Sequence, residues 1–215
     1  MHVGYPMGDF KFTGCMVGDG FDDHVREQLP FYDLVTDCVS MIIRNYLPQN
    51  GVLYDIGAST GNITKSVESL IISRNATAIS VDSSEEMVQT WNGVGDIISG
   101  DAGEIEYQSF DVAVCFLTLM FMSVQKRADL LEALQKKKRC GGVIIIVDKI
   151  LVDGDYFGTV LRRMTLDWKL KNNVSPEQIL KKELSLAGVQ RPMTKDEIPN
   201  GKEFFRLGEF IGWVL

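Results

Sequence analysis

The chain has 215 residues and a formal net charge of −7, so it is long enough for one domain with a buried core. This acidic balance argues against a basic face for nucleic-acid binding. The one basic run, Lys136–Arg139, fits a last helical turn, and a patch that binds an anion or nucleic acid is the alternative. No segment has the length of a membrane-spanning helix or the features of a signal peptide. The four cysteines follow neither metal nor disulfide spacing. We expect a cytoplasmic protein acting on a small molecule, without a metal or a membrane.

The first half of the chain alternates helical and strand patterns. Residues 1–21 contain several glycines and little periodicity, which predicts an irregular arm, whereas residues 22–48 place apolar side chains on one helical face. The pattern then predicts a strand at about 52–56, a helix over 61–74, a strand at 76–81, a helix start at 82–86 and a weaker strand near 95–99. This alternation is typical of parallel βαβ units.

The second half continues the alternation and then ends differently. The pattern predicts a strand at 110–116, a helix over 124–138, a strand at 142–148 and mostly helical structure over 155–188. Residues 203–208 and 210–215 are strand-like and are joined tightly at Gly208-Glu209. Two such strands form an antiparallel hairpin.

These elements predict an α/β, Rossmann-like fold. Its mostly parallel, seven-stranded sheet ends in the antiparallel hairpin and carries helices on both faces. We expect one domain over residues 1–215, because no linker or repeat interrupts the chain. Residues 1–48 are expected to form an N-terminal arm and helical lid, and residues 150–200 a helical insert before the last hairpin.

A short apolar run ending in Asp55 leads into a glycine-bearing turn that reads D-x-G-x-S-x-G and contains Gly57, Ser59 and Gly61. A strand, a tight loop and a helix in this order form nucleotide-type ligand sites in α/β sheets. We expect the glycines to let the backbone approach the ligand, because a Cβ atom there would collide with it. Asp82 ends the next strand at a distance that suits a ribose contact.

Four stretches together resemble the class I S-adenosylmethionine-dependent methyltransferases, and within them the carboxy-S-adenosylmethionine synthases of tRNA wobble-uridine modification. They are Phe21-Asp22-x-x-Val25 with Pro30-Phe31-Tyr32; Tyr54-Asp55-Ile56-Gly57-Ala58-Ser59-x-Gly61; Thr118-Leu119-Met120-Phe121 with Arg127-x-x-Leu130-Leu131; and Met164-x-x-Asp167-Trp168-Lys169. The resemblance covers nearly the whole chain and implies the class I methyltransferase fold, S-adenosylmethionine or its carboxy form as cofactor, and a homodimer.

The resemblance also implies which residues bind the cofactor. Tyr32 is expected to contact it, although core packing is the alternative for this side chain. The residues expected around the rest of the cofactor are Asp55 and Gly61 in the loop, Gly57, Ala58 and Ser59 at the methionine portion, Asp82 and Ser83 at the ribose, Asp101 and Ala102 at the adenine, and Phe116 at the exit of the fourth strand, with core packing as its alternative. A carboxylate can accept both hydrogen bonds of a ribose diol, which makes Asp82 chemically suitable.

The chain departs from this branch at the part that holds the transferred carboxylate. Aligned without gaps, the branch's carboxylate-binding arginine falls on Glu183, and its asparagine at the exit of the fourth strand falls on Phe116. A shift of one residue places Lys182 there instead, without the planar fork of arginine. The charge reversal predicts that the protein prefers S-adenosylmethionine to its carboxy form. Trp168 is a candidate for stacking on a substrate, with core packing as the alternative.

We therefore expect a cofactor-dependent transferase, with methyl transfer by in-line attack as the favoured reaction. The first alternative is carboxy-S-adenosylmethionine synthesis from a prephenate-like donor. The second is a non-catalytic module that binds the cofactor. No residue stands out as a general base, and His24, in an acidic helical stretch, is expected at the surface.

Overall fold

The computed structural model describes Gly8, Phe10 and residues 19–215. Most of the predicted irregular arm and Cys15 lie outside the described residues. Among these residues, no helix is both long enough and apolar enough to cross a membrane.

The strands form a seven-stranded sheet of order β3-β2-β1-β4-β5-β7-β6. They are β1 (Val52–Ile56), β2 (Thr77–Asp82), β3 (Asp96–Ser99), β4 (Phe110–Phe116), β5 (Lys138–Lys149), β6 (Lys202–Leu207) and β7 (Phe210–Val214). The first five strands pair in parallel, and β7 pairs antiparallel with both β5 and β6. The predicted sheet, with its terminal hairpin, is therefore confirmed.

Eight α-helices are described around this sheet. They are α1 (Asp19–Gln28), α2 (Tyr32–Tyr46), α3 (Asn62–Ser66), α4 (Glu68–Ser73), α5 (Glu85–Thr90), α6 (Val124–Lys137), α7 (Tyr156–Lys171) and α8 (Pro176–Ser185). Short 3-10 turns occur at Leu119–Phe121 and Lys195–Glu197. The helices predicted over 124–138 and 155–188 are confirmed, the second as the pair α7 and α8.

Several of the predicted boundaries are wrong, and the strand expected at 142–148 begins four residues earlier, at Lys138. The helix expected over 22–48 is two helices, because Pro30 lacks an N–H group and disfavours helical backbone at the residue before it. Residues 19–21, expected in the irregular arm, begin α1, and the helix expected over 61–74 is interrupted at Val67. The basic run divides between α6 and β5, where Arg139 pairs with Asp111 at 2.6 Å instead of ending the helix.

The core consists of two apolar clusters, one on each face of the sheet. Alternate residues of β4 point to opposite faces, so Val112 and Val114 join one cluster while Ala113 and Cys115 join the other. Parallel strands covered on both faces are apolar throughout, which explains the continuous apolar run of β4. Because β1, β2, β4 and β5 run in the same direction, their carboxyl ends meet at one edge, where ligands of open α/β sheets bind.

Candidate cofactor and substrate pocket

A cavity of about 420 Å³ opens at the carboxyl edge of the parallel strands. Its walls are the loop after β1, the end of β2, the segment 100–102, the exit of β4, and residues of α1, α7 and α8. This volume lies within the range of small-molecule sites. The cavity thus collects most of the residues that the sequence singled out at the strand ends.

The loop after β1 has a sharply turned backbone. Gly57, Ser59 and Gly61 all have positive φ angles, of 71°, 51° and 88°. A Cβ atom on Gly57 would lie 2.3 Å from Oγ1 of Thr118, and one on Gly61 would lie 2.5 Å from Cα of Gly93. Neighbouring protein atoms therefore already require glycine at both positions, and the close approach of a ligand to this backbone stays a prediction. Gly61 does not line the cavity, whereas Gly57 and Ser59 do.

Asp82, at the end of β2, connects this loop to α5. Its two carboxylate oxygens accept hydrogen bonds from the backbone N–H groups of Ser59 at 2.8 Å and Ser84 at 2.9 Å. Burial raises the pKa of this carboxyl group, and the backbone hydrogen bonds oppose the rise. Each carboxylate oxygen has a second lone pair, so Asp82 can hold the loop and still accept hydrogen bonds from a ligand. Ser83, beside it, also lines the cavity.

Asp101 and Ala102 also lie in the cavity wall, as do Ala58 and Lys126. The carboxylate of Asp101 accepts hydrogen bonds from the backbone N–H of Gly103 at 2.9 Å and from Nζ of Lys126 at 2.5 Å. The pKa of Asp101 is lowered, mainly by the hydrogen bond from Lys126. Sequence reasoning missed Lys126, which α6 brings to the wall from a distant part of the chain.

Two buried oxygen atoms in residues of the cavity wall have no hydrogen-bond partner in the described part of the chain. One belongs to Asp55, which is 1% exposed, and the other is Oε1 of Gln28, which is 7% exposed. Burial and then the nearby Asp82 raise the pKa of Asp55 to about 7. Unpaired buried acceptors are rare and call for a donor from a ligand. S-adenosylmethionine carries such donors in its ammonium group, its ribose hydroxyls and its adenine amine, so the residues fit this cofactor.

Tyr32 and Phe116 form the apolar wall of the cavity. Their rings meet edge to face with centroids 5.5 Å apart, and both side chains are at least 92% buried. Tyr32 belongs to a core cluster, as the packing alternative expected, and it also lines the cavity, where its contact with the cofactor stays a prediction. Trp168 is absent from the cavity wall and packs against Phe31 instead, at a centroid distance of 6.1 Å.

Glu183 lines the cavity, but it is not an isolated negative charge. Its carboxylate lies 3.4 Å from Nζ of Lys169 and 3.7 Å from the guanidinium of Arg162, both on α7. Two cations from a neighbouring helix therefore reduce the repulsion that the sequence predicted between Glu183 and a ligand carboxylate. An alignment of α8 alone does not reveal them.

Lys182 lines the same part of the cavity and has no carboxylate partner among the described residues. Its Nζ lies 2.9 Å from Nε2 of His24 on α1 and 6.0 Å from the ring centroid of Phe10. Burial and then Lys169 lower the pKa of Lys182 to about 8. The expectation that His24 is a surface residue is wrong, because α1 turns it into the cavity wall.

Together, Lys149, Lys169 and Lys182 make this half of the cavity cationic. Lys149 pairs with Glu209 at 3.7 Å, and Lys169 pairs with Glu183. Three lysines therefore face two carboxylates, and the surplus positive charge lies at Lys182. Among the described residues no group of His, Cys, Asp and Glu side chains has the arrangement of a metal site.

The fold and this site define the class of protein. A family model described as a methyltransferase domain matches residues 54–146. The crystal structure of magnesium protoporphyrin IX methyltransferase from Synechocystis PCC 6803 with bound S-adenosylhomocysteine has the same fold, with a TM-score of 0.58, 12% identity and 94% of each chain covered. Human N-acetylserotonin methyltransferase in complex with S-adenosylmethionine has a TM-score of 0.54 at 13% identity, over 83% of this chain and 50% of that one. The matched domain and the shared fold indicate an enzyme of the S-adenosylmethionine-dependent methyltransferase-like class.

More specific similarity comes from curated relatives. The carboxy-S-adenosyl-L-methionine synthase of Staphylococcus epidermidis is 29% identical, with 89% of this chain and 86% of the relative covered. The synthase of the same name from Shewanella halifaxensis is 27% identical, with 96% of this chain and 88% of the relative covered. The resemblance to this branch that the motifs indicated is thus confirmed over nearly the whole chain.

Proposed function

We propose that this chain binds S-adenosylmethionine and transfers a carboxyl group to it, forming carboxy-S-adenosylmethionine. The single observation that carries this proposal is the ammonium of Lys182, which faces the cavity without a carboxylate partner. The names of the curated relatives support the same reaction. The sequence had favoured methyl transfer because Glu183 and Phe116 replace the two carboxylate-binding residues of the branch.

The carboxylate half of the proposal rests on charge balance. Shielding a charge from water is costly unless a counter-charge or hydrogen bonds compensate it. In the described residues, Lys149 and Lys169 have counter-charges, whereas Lys182 contacts the imidazole of His24. A small ligand with a carboxylate compensates this ammonium. In this proposal that carboxylate is the transferred carboxyl group, which belongs first to the donor and then to the product, and not the methionine carboxylate of the cofactor.

The cofactor half of the proposal assigns each polar wall residue a task. Asp82 accepts hydrogen bonds from the ribose hydroxyls while it keeps the loop at Ser59 in place. The unpaired oxygens of Asp55 and Gln28 accept from the donor groups of the ligand. Asp101, held by Lys126, lies at the proposed adenine position.

The remaining residues exclude water and bring the two ligands together. Tyr32 and Phe116 close the apolar wall, and α1 covers the cavity with Phe21, His24, Val25 and Gln28. When bound, S-adenosylmethionine would supply the methyl carbon next to its sulfonium. A prephenate-like donor would lose its ring carboxyl group as CO2 and its ring hydroxyl group as hydroxide; the hydroxide would take a proton from that methyl group to give water, and the carbon would bond to the CO2. Positioning in a dry pocket is the contribution of the protein.

Methyl transfer to a small acceptor that carries a carboxylate is the second candidate. Phe116 favours it, because this side chain cannot donate a hydrogen bond to a carboxylate where the branch has asparagine. In this reaction Lys182 would bind the acceptor instead of the donor or product.

Mass spectrometry of reaction mixtures tests the proposal. The protein is incubated with S-adenosylmethionine, with and without prephenate, and both cofactor products are quantified. We expect a product heavier than S-adenosylmethionine by a carboxyl group, dependent on prephenate and strongly reduced in Lys182→Met. Formation of S-adenosylhomocysteine with a cell extract, without the carboxylated product, would instead establish methyl transfer. Tight cofactor binding without either product would favour a non-catalytic module.

A further inference from the structure

Helix α1 presents one face to the cavity, on which His24 and Gln28 are the polar residues. Three contacts outside this face hold the helix in place. Oγ1 of Thr60 donates to Asp22 at 2.7 Å, Nδ2 of Asn172 donates to the backbone carbonyl of Glu27 at 3.1 Å, and Arg26 pairs with Asp33 at 2.9 Å. The position of His24 is therefore fixed by contacts of α1 with the loop after β1 and with the residue that follows α7.

His24 and Lys182 meet in a geometry that defines their protonation. An ammonium group can only donate, so Nε2 of His24 accepts the hydrogen bond and the proton of the neutral ring is on Nδ1. Burial, followed by Lys182 and Lys169, lowers the pKa of His24 to about 4, which keeps the ring neutral at physiological pH. A neutral partner orients the ammonium without neutralising it.

We propose that His24 is a positioning residue that directs the ammonium of Lys182 toward the ligand carboxylate. This inference rests on the proposed function and adds a residue that the sequence had placed at the surface. It also makes carboxylate recognition depend on α1 being seated over the cavity, because only then does the imidazole reach Lys182. Carboxylate binding is therefore coupled to the position of α1 over the cavity.

The charged groups around Lys182 determine how this recognition depends on pH. Lys169 on α7 disfavours its charge, Glu183 on α8 favours it, and His24 on α1 is neutral. Lys149 on β5 also lines the cavity and carries the counter-charge of Glu209. Because the pKa of Lys182 is about 8, the ammonium is present below this pH and is lost above it. Carboxylate binding should therefore weaken as the pH rises through about 8.

The test compares the dissociation constants of carboxy-S-adenosylmethionine and S-adenosylmethionine, measured by calorimetry at two pH values on either side of 8. In His24→Ala we expect the preference for the carboxy form to fall about tenfold, with little change in the affinity for S-adenosylmethionine. His24→Gln should retain most of the preference, because its side-chain oxygen can accept the same hydrogen bond. Asp23→Asn, on the exposed side of α1, is the matched control and should change nothing.

The double variant separates positioning from a structural role. If His24 acts through Lys182, adding His24→Ala to Lys182→Met has no further effect on the preference for the carboxy form. The pH dependence of this preference is then absent from both Lys182→Met and the double variant. Equal weakening of both cofactors in His24→Ala, or an additive effect in the double variant, would overturn the inference. An unchanged preference in Lys182→Met would refute the carboxylate site itself, so the two failures are distinguishable.

Discussion

Asp55 costs the ligand-free protein stability, and its replacement by asparagine should recover part of that cost. The side chain is 1% exposed, and one carboxylate oxygen has no partner among the described residues. Burial raises its pKa from 3.8 to about 7. Since the folded state then binds the proton more tightly than the unfolded state, this group destabilises the fold as the pH rises from about 4 to about 7, and the full cost remains above that range.

The size of the effect follows from linkage. One pKa unit corresponds to about 1.4 kcal/mol, so a rise from 3.8 to about 7 corresponds to at most about 4 kcal/mol at alkaline pH. Asparagine keeps the volume of the side chain without the charge. We expect Asp55→Asn to increase the free energy of unfolding by about 1–3 kcal/mol at about pH 8.5 and to change it little at about pH 4.

Urea unfolding of the ligand-free protein at both pH values measures this difference. Asp148→Asn is the matched control, because Asp148 is equally buried and also has a pKa of about 7, but it accepts hydrogen bonds from the backbone N–H groups of Leu119, Met120 and Lys149. An asparagine amide there would face an N–H donor, so this control should be less stable. A lower stability of Asp55→Asn at alkaline pH, or the same change at both pH values, would show that the buried charge of Asp55 does not destabilise the fold.

Three further predictions concern the loop after β1 and the two carboxylates beside it. Asp82→Asn should weaken S-adenosylhomocysteine binding at least about tenfold by calorimetry, and an unchanged affinity would remove Asp82 from the ribose site. Gly57→Ala should lower the free energy of unfolding by about 2 kcal/mol or more, because its φ is +71° and the new Cβ would lie 2.3 Å from Oγ1 of Thr118. Adding Thr118→Ala should restore part of the lost stability. If it restores none, the clash with Thr118 is not the cause. Binding of S-adenosylmethionine at about pH 7 should release a proton from Asp55, because a nearby ligand ammonium favours the carboxylate. Calorimetry in buffers of different ionisation enthalpy detects the released proton. A release that persists in Asp55→Asn would show that the proton does not come from Asp55.

The sheet and the cofactor edge could be predicted from the sequence because their signals are local. Apolar runs with turn residues between them locate the strands, and Asp55 and Asp82 end two of them directly beside the glycine loop. The break between α1 and α2 was also visible at Pro30, but the apolar periodicity continues across it. Local patterns therefore identified the elements better than their ends.

The cationic half of the cavity could not be predicted in this way. Lys149 ends β5, Lys169 lies on α7 and Lys182 on α8, so only tertiary structure brings these lysines together. Glu183 was misinterpreted for the same reason, since its partner Lys169 lies on another helix, 14 residues earlier in the chain. The net charge of a pocket depends on side chains from several helices and strands, whereas an alignment compares one position at a time.

Competition binding of the two cofactors to the wild-type protein tests the central claim most directly. We predict that carboxy-S-adenosylmethionine binds at least about tenfold more tightly than S-adenosylmethionine at about pH 7, because only the carboxy form has a second carboxylate, next to the sulfonium, for the ammonium of Lys182. Lys182→Met should abolish this preference. Equal affinity for the two cofactors, or tighter binding of S-adenosylmethionine by the wild type, would contradict the account.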